Sequence, residues 1–262
     1  MDLSISTTIF GPDYPLDQLV KICKNAGFRF IEISRKHHNA GILKTNTDAY
    51  GIKVWAVHGT LGFNAVSMDK SARKKALNNE LDRMNNMSIF APCPYVVHYL
   101  NRFNNPSCSD IFLDSLEKLH YKARETGFIL AVETVPDKPE NERYPDSAEI
   151  ARVVKSFDSP QMQICIDVNH SNLAENLEDV FQNCRGLIST VHISDNHGKK
   201  EDHLPPGKGI IDFSAVLKLL RDTGYCGTWN IECHIDRLPE QNDITALFKE
   251  NSNLTKNQKQ SN

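Results

Sequence analysis

The sequence lacks the marks of a secreted or membrane-spanning protein. Its first residues, MDLSISTTIF, contain neither the basic start nor the long apolar stretch of a signal peptide. No apolar run approaches the about 20 residues that a membrane-spanning helix needs. We therefore expect a cytoplasmic protein without a membrane partner.

The sequence also lacks a disulfide pattern. Its seven cysteines form no Cys-x-x-Cys pair, and their number is odd. Cys165 and Cys233 lie inside apolar runs, which is typical of buried thiols. The pattern predicts reduced cysteines rather than a disulfide framework.

An excess of positive charge is missing as well. The formal net charge is -3, which gives no bulk attraction to nucleic acid. One short basic segment, RKHHN, stands at residues 35–39. A GxGxxG dinucleotide motif is absent, since the Gly207-Lys208-Gly209 stretch does not directly follow a predicted strand. A nucleic-acid partner is therefore disfavoured.

What the chain does contain is a regular alternation of short β-branched runs and longer amphipathic segments. The predicted strands are Leu3–Ile9, Phe28–Ser34, Ile52–Gly59, Pro94–Tyr99, Phe128–Thr134, Met162–Val168, Leu187–Ser194 and Thr228–His234. Such alternation implies parallel pairing with right-handed crossovers. Eight units in 262 residues close naturally into a barrel. We predict one (β/α)8 TIM barrel over residues 1–250, ending in a short helix near Ile244–Glu250, and a polar, disordered tail at 251–262.

Six of the predicted strands carry a metal-ligand type of residue at or near their end. These residues are His58, His98, Glu133, Asp167, His192 and Glu232, and His170 follows Asp167 by three positions. A single His or Glu at a strand end is more often a packing or capping residue. Because barrel strands converge at their carboxyl ends, however, six such residues are expected to share one bowl.

Three buried carboxylates in one bowl would repel each other unless a cation compensated them. We therefore predict one divalent metal ion held by Glu133, Asp167, His192 and Glu232. Mixed carboxylate and imidazole ligation suits Mn²⁺, Zn²⁺, Co²⁺ or Fe²⁺ better than Ca²⁺, and Mg²⁺ also remains an option.

Four segments carry a resemblance to a known family. They are AVET around Glu133, CIDVNH at 165–170, HISDNHGKKEDHLPPGKGIIDF from His192, and NIECH around Glu232. With them the chain resembles the xylose isomerase-like barrel superfamily over roughly residues 1–250. That superfamily contains sugar isomerases, sugar epimerases and AP endonucleases of the endonuclease IV type.

The resemblance implies roles for individual residues. In the isomerases and epimerases, the residues that match Glu133, Asp167, His192 and Glu232 hold one metal, and the two glutamates also act as acid and base. In the AP endonucleases up to three zinc ions are held by a fuller set, which matches His58, His98, Glu133, Asp167, His170, His192, His203 and Glu232. That set also has an Asp two residues before the histidine that His203 matches. This chain has Glu201 there, and the adjacent Asp202 offers an alternative.

The favoured interpretation is a metal-dependent isomerase or epimerase that acts on a small ketose or related polyhydroxy compound. One of Glu133 and Glu232 removes a proton beside the carbonyl, leaving a cis-enediolate, and the other returns a proton. The remaining bowl residues bind substrate hydroxyls or additional metal; they are His58, His98, His170, Glu201 and His203. Glu32 faces the same bowl with an open role, and Asp195 is expected to be a turn or supporting residue.

Two other interpretations remain. One is an endonuclease IV-like AP endonuclease with a multi-zinc site, and the other is a non-catalytic ligand-binding barrel. The stretches VHGTLGFN and VHYLNRFN lack the segments associated with probing an abasic site, and the net charge is negative. The intact glutamate pair argues against a silent barrel. A homo-oligomer is compatible with the sequence.

Overall fold

A computed structural model describes residues 1–100, 106–136, 146–235 and 239–257. Its eight strands are β1 (Leu3–Ser6), β2 (Phe30–Ile33), β3 (Lys53–His58), β4 (Pro94–His98), β5 (Ile129–Glu133), β6 (Met162–Asp167), β7 (Ile188–His192) and β8 (Trp229–Ile231). Most of their residues are buried, because a barrel wall is covered by side chains on one face and by helices on the other.

The helices fill the connections between the strands. They are α1 (Leu16–Ala26), α2 (Ala40–Tyr50), α3 (Lys70–Met87), α4 (Pro106–Thr126), α5 (Ser147–Ser156), α6 (Val168–Ala174), α7 (Leu177–Asn183), α8 (Phe213–Asp222) and α9 (Gln241–Asn257). Asp69, Asp146 and Asp212 cap the amino ends of α3, α5 and α8 by accepting backbone N–H groups. Gly27, at a φ of 110°, ends α1 in the left-handed conformation that glycine adopts most readily.

All strand pairings are parallel, and the order around the barrel is β7-β6-β5-β4-β3-β2-β1-β8. A single parallel bridge between Ile193 and Ile231 closes the ring between β7 and β8. Two hydrogen bonds flank it, from Ile193 N to the Asn230 carbonyl (2.9 Å) and from Glu232 N to the Ile193 carbonyl (3.0 Å). The predicted (β/α)8 barrel is confirmed.

Side chains alternate along each strand, and this alternation aims the site residues into the barrel. Val96, Ala131 and Cys165 form a small buried cluster of their own, separate from the large core between sheet and helices. Each of them stands two residues before a predicted site residue, on β4, β5 and β6 respectively. Because residues two apart share a strand face, the site lies directly above this inner cluster.

The carboxyl-terminal prediction needs correction. α9 continues to Asn257, so the tail predicted to be disordered from residue 251 is helical over 251–257; residues 258–262 lie outside the described residues. Asn251 and Thr255 are buried, and Asn251 Oδ1 accepts a 2.9 Å hydrogen bond from the Trp229 indole. Asn251 therefore pairs with the barrel, and the Thr255 hydroxyl donates to the Asn251 carbonyl within the helix at 3.0 Å.

Two further elements differ from prediction. β1 ends at Ser6, and Thr7–Ile9 form a 3-10 turn instead of a strand. α6 was not predicted, because its sequence VNHSNLA lacks a helical apolar period. It begins because the Asp167 carboxylate accepts the backbone N–H of His170 at 2.9 Å, so a site residue also serves as a helix cap.

The six cysteines whose side chains the structure describes agree with the expectation of free thiols, and the side chain of Cys108 lies outside that description. Cys23, Cys93, Cys165, Cys184 and Cys233 are free and buried, and Cys226 is free and exposed. Burial raises the pKa of Cys23 and Cys93 to about 12, which keeps these thiols protonated and unreactive. Within the described ranges, no helix has the length and apolarity that crossing a membrane requires.

Candidate metal and acid–base site

The predicted site residues meet at the carboxyl ends of the strands. Strand register sets His98 beside Glu133 and Asp167 beside His192, so neighbouring strands present their polar ends at one level. A cavity of about 90 Å³ opens there. It is lined by Thr8, Ser34, Arg35, His58, His98, Glu133, His170, Glu201, His203, Glu232 and His234.

His192 stands at the centre of the cluster. Its Nδ1 atom lies 2.8 Å from Glu232 Oε2, 3.0 Å from Glu133 Oε1 and 3.8 Å from Asp167 Oδ2. One ligand atom from each of these four residues lies within 4.8 Å of the others, and all four residues are buried. The structure thus brings together the four residues predicted to hold one metal.

The donor set fits a divalent cation. Asp167 Oδ2 is buried without a hydrogen-bond partner among the described residues, and a buried carboxylate oxygen in that state is costly. Glu133, Asp167 and Glu232 together place up to three negative charges around one point, which a divalent cation compensates. Such a mixed set matches Mn²⁺, Zn²⁺, Co²⁺ or Fe²⁺.

Glu32 holds His192 from behind. Its Oε2 atom lies 2.8 Å from His192 Nε2 and accepts a second bond from Asn230 Nδ2 at 3.0 Å. With Nε2 engaged in this way, Nδ1 must face the three carboxylates. Sequence reasoning left the role of Glu32 open, although a lone acid within the apolar strand FIEI was a visible signal.

The histidines control the ionisation of the carboxylates. Burial alone would raise the pKa of Glu133 and Glu232, but the charge and hydrogen bonds of His192 hold the pKa of both well below the usual range. Asp167 differs, because burial outweighs the nearby histidines and raises its pKa. Both glutamates are therefore carboxylates at neutral pH.

The carboxylates act on the histidines in return. Burial would lower the pKa of His192, but Glu232, Glu32 and Glu133 are among the groups that raise it well above its usual value. Asp167 likewise raises the pKa of His170 to about 10 against the effect of burial. His98 is the exception, since burial lowers its pKa to about 4. In the absence of a metal, protons thus supply much of the positive charge of the bowl.

His58 and His98 form a second group with Glu133. Their Nε2 atoms lie 3.2 Å and 3.3 Å from Glu133 Oε2. His58 Nδ1 lies 2.9 Å from the Gly59 carbonyl and donates to it, which turns Nε2 toward the carboxylate. The three residues could hold a metal ion that shares Glu133 with the first group.

A third group lies on the other side of the bowl and joins His170, Glu201 and His203. Glu201 Oε2 is 3.7 Å from His170 Nε2 and 3.9 Å from His203 Nε2. Asp202 points elsewhere, because it accepts the His197 N–H at 3.0 Å and lies 3.5 Å from Lys200. Of the two acids that the sequence offered, the structure therefore puts Glu201 beside the histidines.

Asp195 organises the loop that carries this third group. It is fully buried and accepts backbone N–H bonds from Gly207 (3.0 Å), Gly209 (2.7 Å) and Ile211 (3.1 Å). A Cβ at Gly209 would meet the Asn196 carbonyl at 2.2 Å, so only glycine allows the loop this close. Asp195 is a supporting residue, as the sequence indicated.

Four cavity residues are missing from the sequence prediction, namely Thr8, Ser34, Arg35 and His234. His234 follows Glu232 by two positions, so strand alternation could have placed it on the same side. Its Nε2 atom lies 3.5 Å from Thr8 Oγ1. Arg35 follows β2 and begins the basic segment RKHHN, which the sequence alone does not connect with the bowl.

Fold and site together define a (β/α)8 barrel with a carboxylate–imidazole cluster at its mouth. The model of the xylose isomerase-like TIM barrel family matches residues 20–257, so the chain belongs to that family. The resemblance inferred from the sequence motifs is confirmed.

The proteins similar to this chain include sugar epimerases. The chain is 25% identical over 253 residues to an uncharacterised protein of Methanocaldococcus jannaschii, covering 88% of this chain and 83% of that one. It is 33% identical over 120 residues to the 3-dehydro-D-guloside 4-epimerase of Escherichia coli. This match covers 44% of this chain and 42% of that protein. The crystal structure of a D-tagatose 3-epimerase-like protein superposes with a TM-score of 0.78 at 21% identity, covering 98% and 99%, which shows a common fold.

Proposed function

We propose that the protein is a divalent-metal-dependent isomerase or epimerase of a small ketose or related polyhydroxy compound. One observation carries the proposal: Glu133 and Glu232 approach the same imidazole nitrogen, at 3.0 Å and 2.8 Å, on different strands. Two ionised carboxylates held around one point suit the removal and return of a proton. The sugar epimerases among the relatives support the same class of reaction.

In this proposal Glu133, Asp167, His192 and Glu232 hold the metal, which when bound polarises the substrate carbonyl and so acidifies the neighbouring carbon. One glutamate removes the proton from that carbon to give a cis-enediolate. The other glutamate returns a proton, to the opposite face of the same carbon for epimerisation or to the adjacent carbon for isomerisation. Asp167 would only hold the metal and balance its charge, since it is fully buried and does not line the cavity.

The outer residues of the bowl would orient the hydroxyl groups of the substrate. His58 and His170 each have one ring nitrogen fixed by a backbone carbonyl, which leaves Nε2 free to face the bowl. His98, with its pKa lowered to about 4, is neutral at pH 7 and can accept a hydrogen bond. Glu201 and His203 complete the wall on the opposite side. A cytoplasmic role in carbohydrate metabolism belongs to this proposal.

The first prediction tests the two glutamates. Glu133→Gln and Glu232→Gln each remove a charged ligand and a proton carrier, so turnover should fall by roughly a thousandfold or more. The measurement is exchange of solvent deuterium into a panel of ketoses, with Mn²⁺ supplied. Glu117→Gln, an exposed residue of α4, is the matched control and should keep full exchange. Full activity in thorough chelator or in Glu232→Gln would rule out the mechanism.

The second candidate is a multi-zinc AP endonuclease, which the second and third ligand groups favour. With its site fully loaded, such an enzyme would bind three zinc ions and cut abasic duplex DNA. We expect one tightly bound metal and no incision. Metal-dependent incision at an abasic site, with no exchange into any sugar, would select the nuclease. Absence of both activities would instead support a non-catalytic ligand-binding barrel.

A further inference from the structure

The loop after β2 brings two adjacent cations to the mouth of the barrel. Arg35 lines the cavity together with Glu232, His234 and Thr8. The neighbouring Lys36 ammonium donates a 2.7 Å hydrogen bond to the Thr8 carbonyl, a neutral acceptor. In the part of the chain that the structure describes, Arg35 has neither a hydrogen-bond nor an ion-pair partner for its guanidinium.

The backbone that carries these cations is held firmly. The buried Arg83 of α3 donates to the carbonyls of Ser34 (3.1 Å) and His37 (3.2 Å), one on each side of the cations. Ser34 N donates to Thr7 Oγ1 at 2.8 Å. Arg35 is thus an exposed side chain on a backbone segment held by hydrogen bonds. Ligand binding would therefore lose little backbone entropy.

Arg35 has no ion-pair partner among the described residues, although acidic side chains line the same cavity. Glu133, Asp167 and Glu232 lie in the same bowl, yet Arg35 pairs with none of them. These carboxylates already face His192 and, in the proposed function, a metal ion. Among the described residues no carboxylate takes up the guanidinium, which leaves it available to a group that comes from outside the chain. Its donors form a planar fork that matches a carboxylate or a phosphate.

We propose that Arg35, with Lys36 beside it, binds an anionic group, a phosphate or a carboxylate, borne by the polyhydroxy substrate. The inference rests on the proposed function for the nature of the substrate. It narrows that substrate from polyhydroxy compounds in general to those that carry a negative charge away from the reacting carbonyl. A neutral ketose would leave the guanidinium without a charged partner.

The test measures binding rather than turnover. Titration calorimetry on the Mn²⁺-loaded protein would compare D-glucitol 6-phosphate, D-gluconate and neutral D-glucitol, none of which offers the carbonyl that the reaction needs. We expect at least one anion to bind tenfold or more tightly than glucitol, and the stronger of the two identifies phosphate or carboxylate. Arg35→Met should lower the affinity for that anion by about 10- to 100-fold, because a charged hydrogen bond is lost. The affinity for glucitol should not change.

Arg29→Met is the matched control. Arg29 precedes β2 where Arg35 follows it, and it pairs with Asp2 at the opposite end of the barrel. The Arg29→Met variant should bind all three probes with the affinity of the wild-type protein. The proposal is overturned if the anions bind no better than glucitol, if both variants lose affinity equally, or if Arg35→Met changes only the affinity for Mn²⁺. Because no turnover is needed, a failed deuterium exchange would count against the proposed function alone.

Discussion

At the scale of single residues, the site depends on how His192 is held. Its two ring nitrogens face different acids, with Glu32 on one side and the three proposed ligand carboxylates on the other. Glu32 does not reach the cavity, so it acts through His192 and not on a substrate. Carboxylate support of this kind fixes both the ring orientation and the nitrogen that remains free.

The prediction that follows concerns Glu32→Gln. The variant should bind Mn²⁺ about 10- to 100-fold more weakly, because the imidazole loses its charged partner and its fixed tautomer. Competition with a fluorescent chelator gives the affinity, and circular dichroism shows whether the fold is kept. Glu117→Gln again serves as the control. Unchanged metal affinity in a folded Glu32→Gln protein would show that His192 is not a ligand.

Protonation of the same histidine gives a pH prediction. In the metal-free protein the pKa of His192 is well above its usual value, so at pH 7 the ring carries a proton on the nitrogen that a metal would need. Metal and proton therefore compete, and affinity should rise with pH by up to about tenfold per unit between pH 6 and 8. Calorimetry in buffers of different ionisation heat should show about one proton released per metal bound. Binding without proton release would contradict this ligand assignment.

The site residues were accessible to sequence reasoning because their chemistry is tied to strand ends. Glu133, Asp167 and Glu232 are acids after apolar runs, and parallel barrel strands all end on one face. The contribution of Arg35 was not accessible in the same way. Its meaning depends on the absence of an ion-pair partner among the residues that the structure describes, which only a three-dimensional arrangement reveals.

At the scale of elements, α3 supports the mouth of the barrel from outside. Its composition is polar, yet Glu80 and Arg83 are buried beneath the loops after β2 and β3. Glu80 accepts bonds from Thr60 N (3.0 and 2.9 Å) and from the Tyr95 hydroxyl (2.7 Å). Arg83 donates to the His58 carbonyl as well as to the β2 loop.

We therefore expect Arg83→Met to destabilise the protein by about 3 kcal/mol, since several buried carbonyls lose their donor. The variant should also weaken any ligand bound through Arg35, whose loop it frees. Urea denaturation gives the free energy of unfolding. Lys75→Met, an exposed position on the same helix, should change that energy by less than about 0.5 kcal/mol. Equal stability of the two variants would exclude a supporting role for Arg83.

Elements with strong apolar periods were predictable, and those held by particular contacts were not. α6 depends on the Asp167 cap, and the end of α9 depends on Asn251 contacting the Trp229 indole. Neither contact leaves a periodic signal in the sequence. Glu80, Arg83 and Asn251 have polar side chains, which usually indicate exposure to solvent. Each of them instead forms hydrogen bonds inside the protein.

At the scale of the whole molecule, the end of the last helix is tied to β8 by Asn251, which accepts the Trp229 indole N–H. Truncation after residue 250 would remove Asn251 and Thr255 and leave the buried Trp229 N–H unpaired. We expect a loss of about 3 kcal/mol and a fall in Tm of roughly 6–12 °C. Truncation after Asn257 should change Tm by less than about 2 °C. Differential scanning calorimetry measures the Tm of both truncated proteins. Equal Tm values would show that residues 251–257 do not contribute to stability.

The seam between β7 and β8 has the fewest paired positions of the barrel, one bridge where β4 and β5 share five. His192 and Glu232 stand on the two sides of this seam. A metal held by both would link strands that the backbone itself joins only weakly. Metal binding would therefore add a crosslink to a seam that the bridge and its two hydrogen bonds already close. Part of the free energy of metal binding would stabilise the closed barrel, and removing the metal would lower its resistance to unfolding.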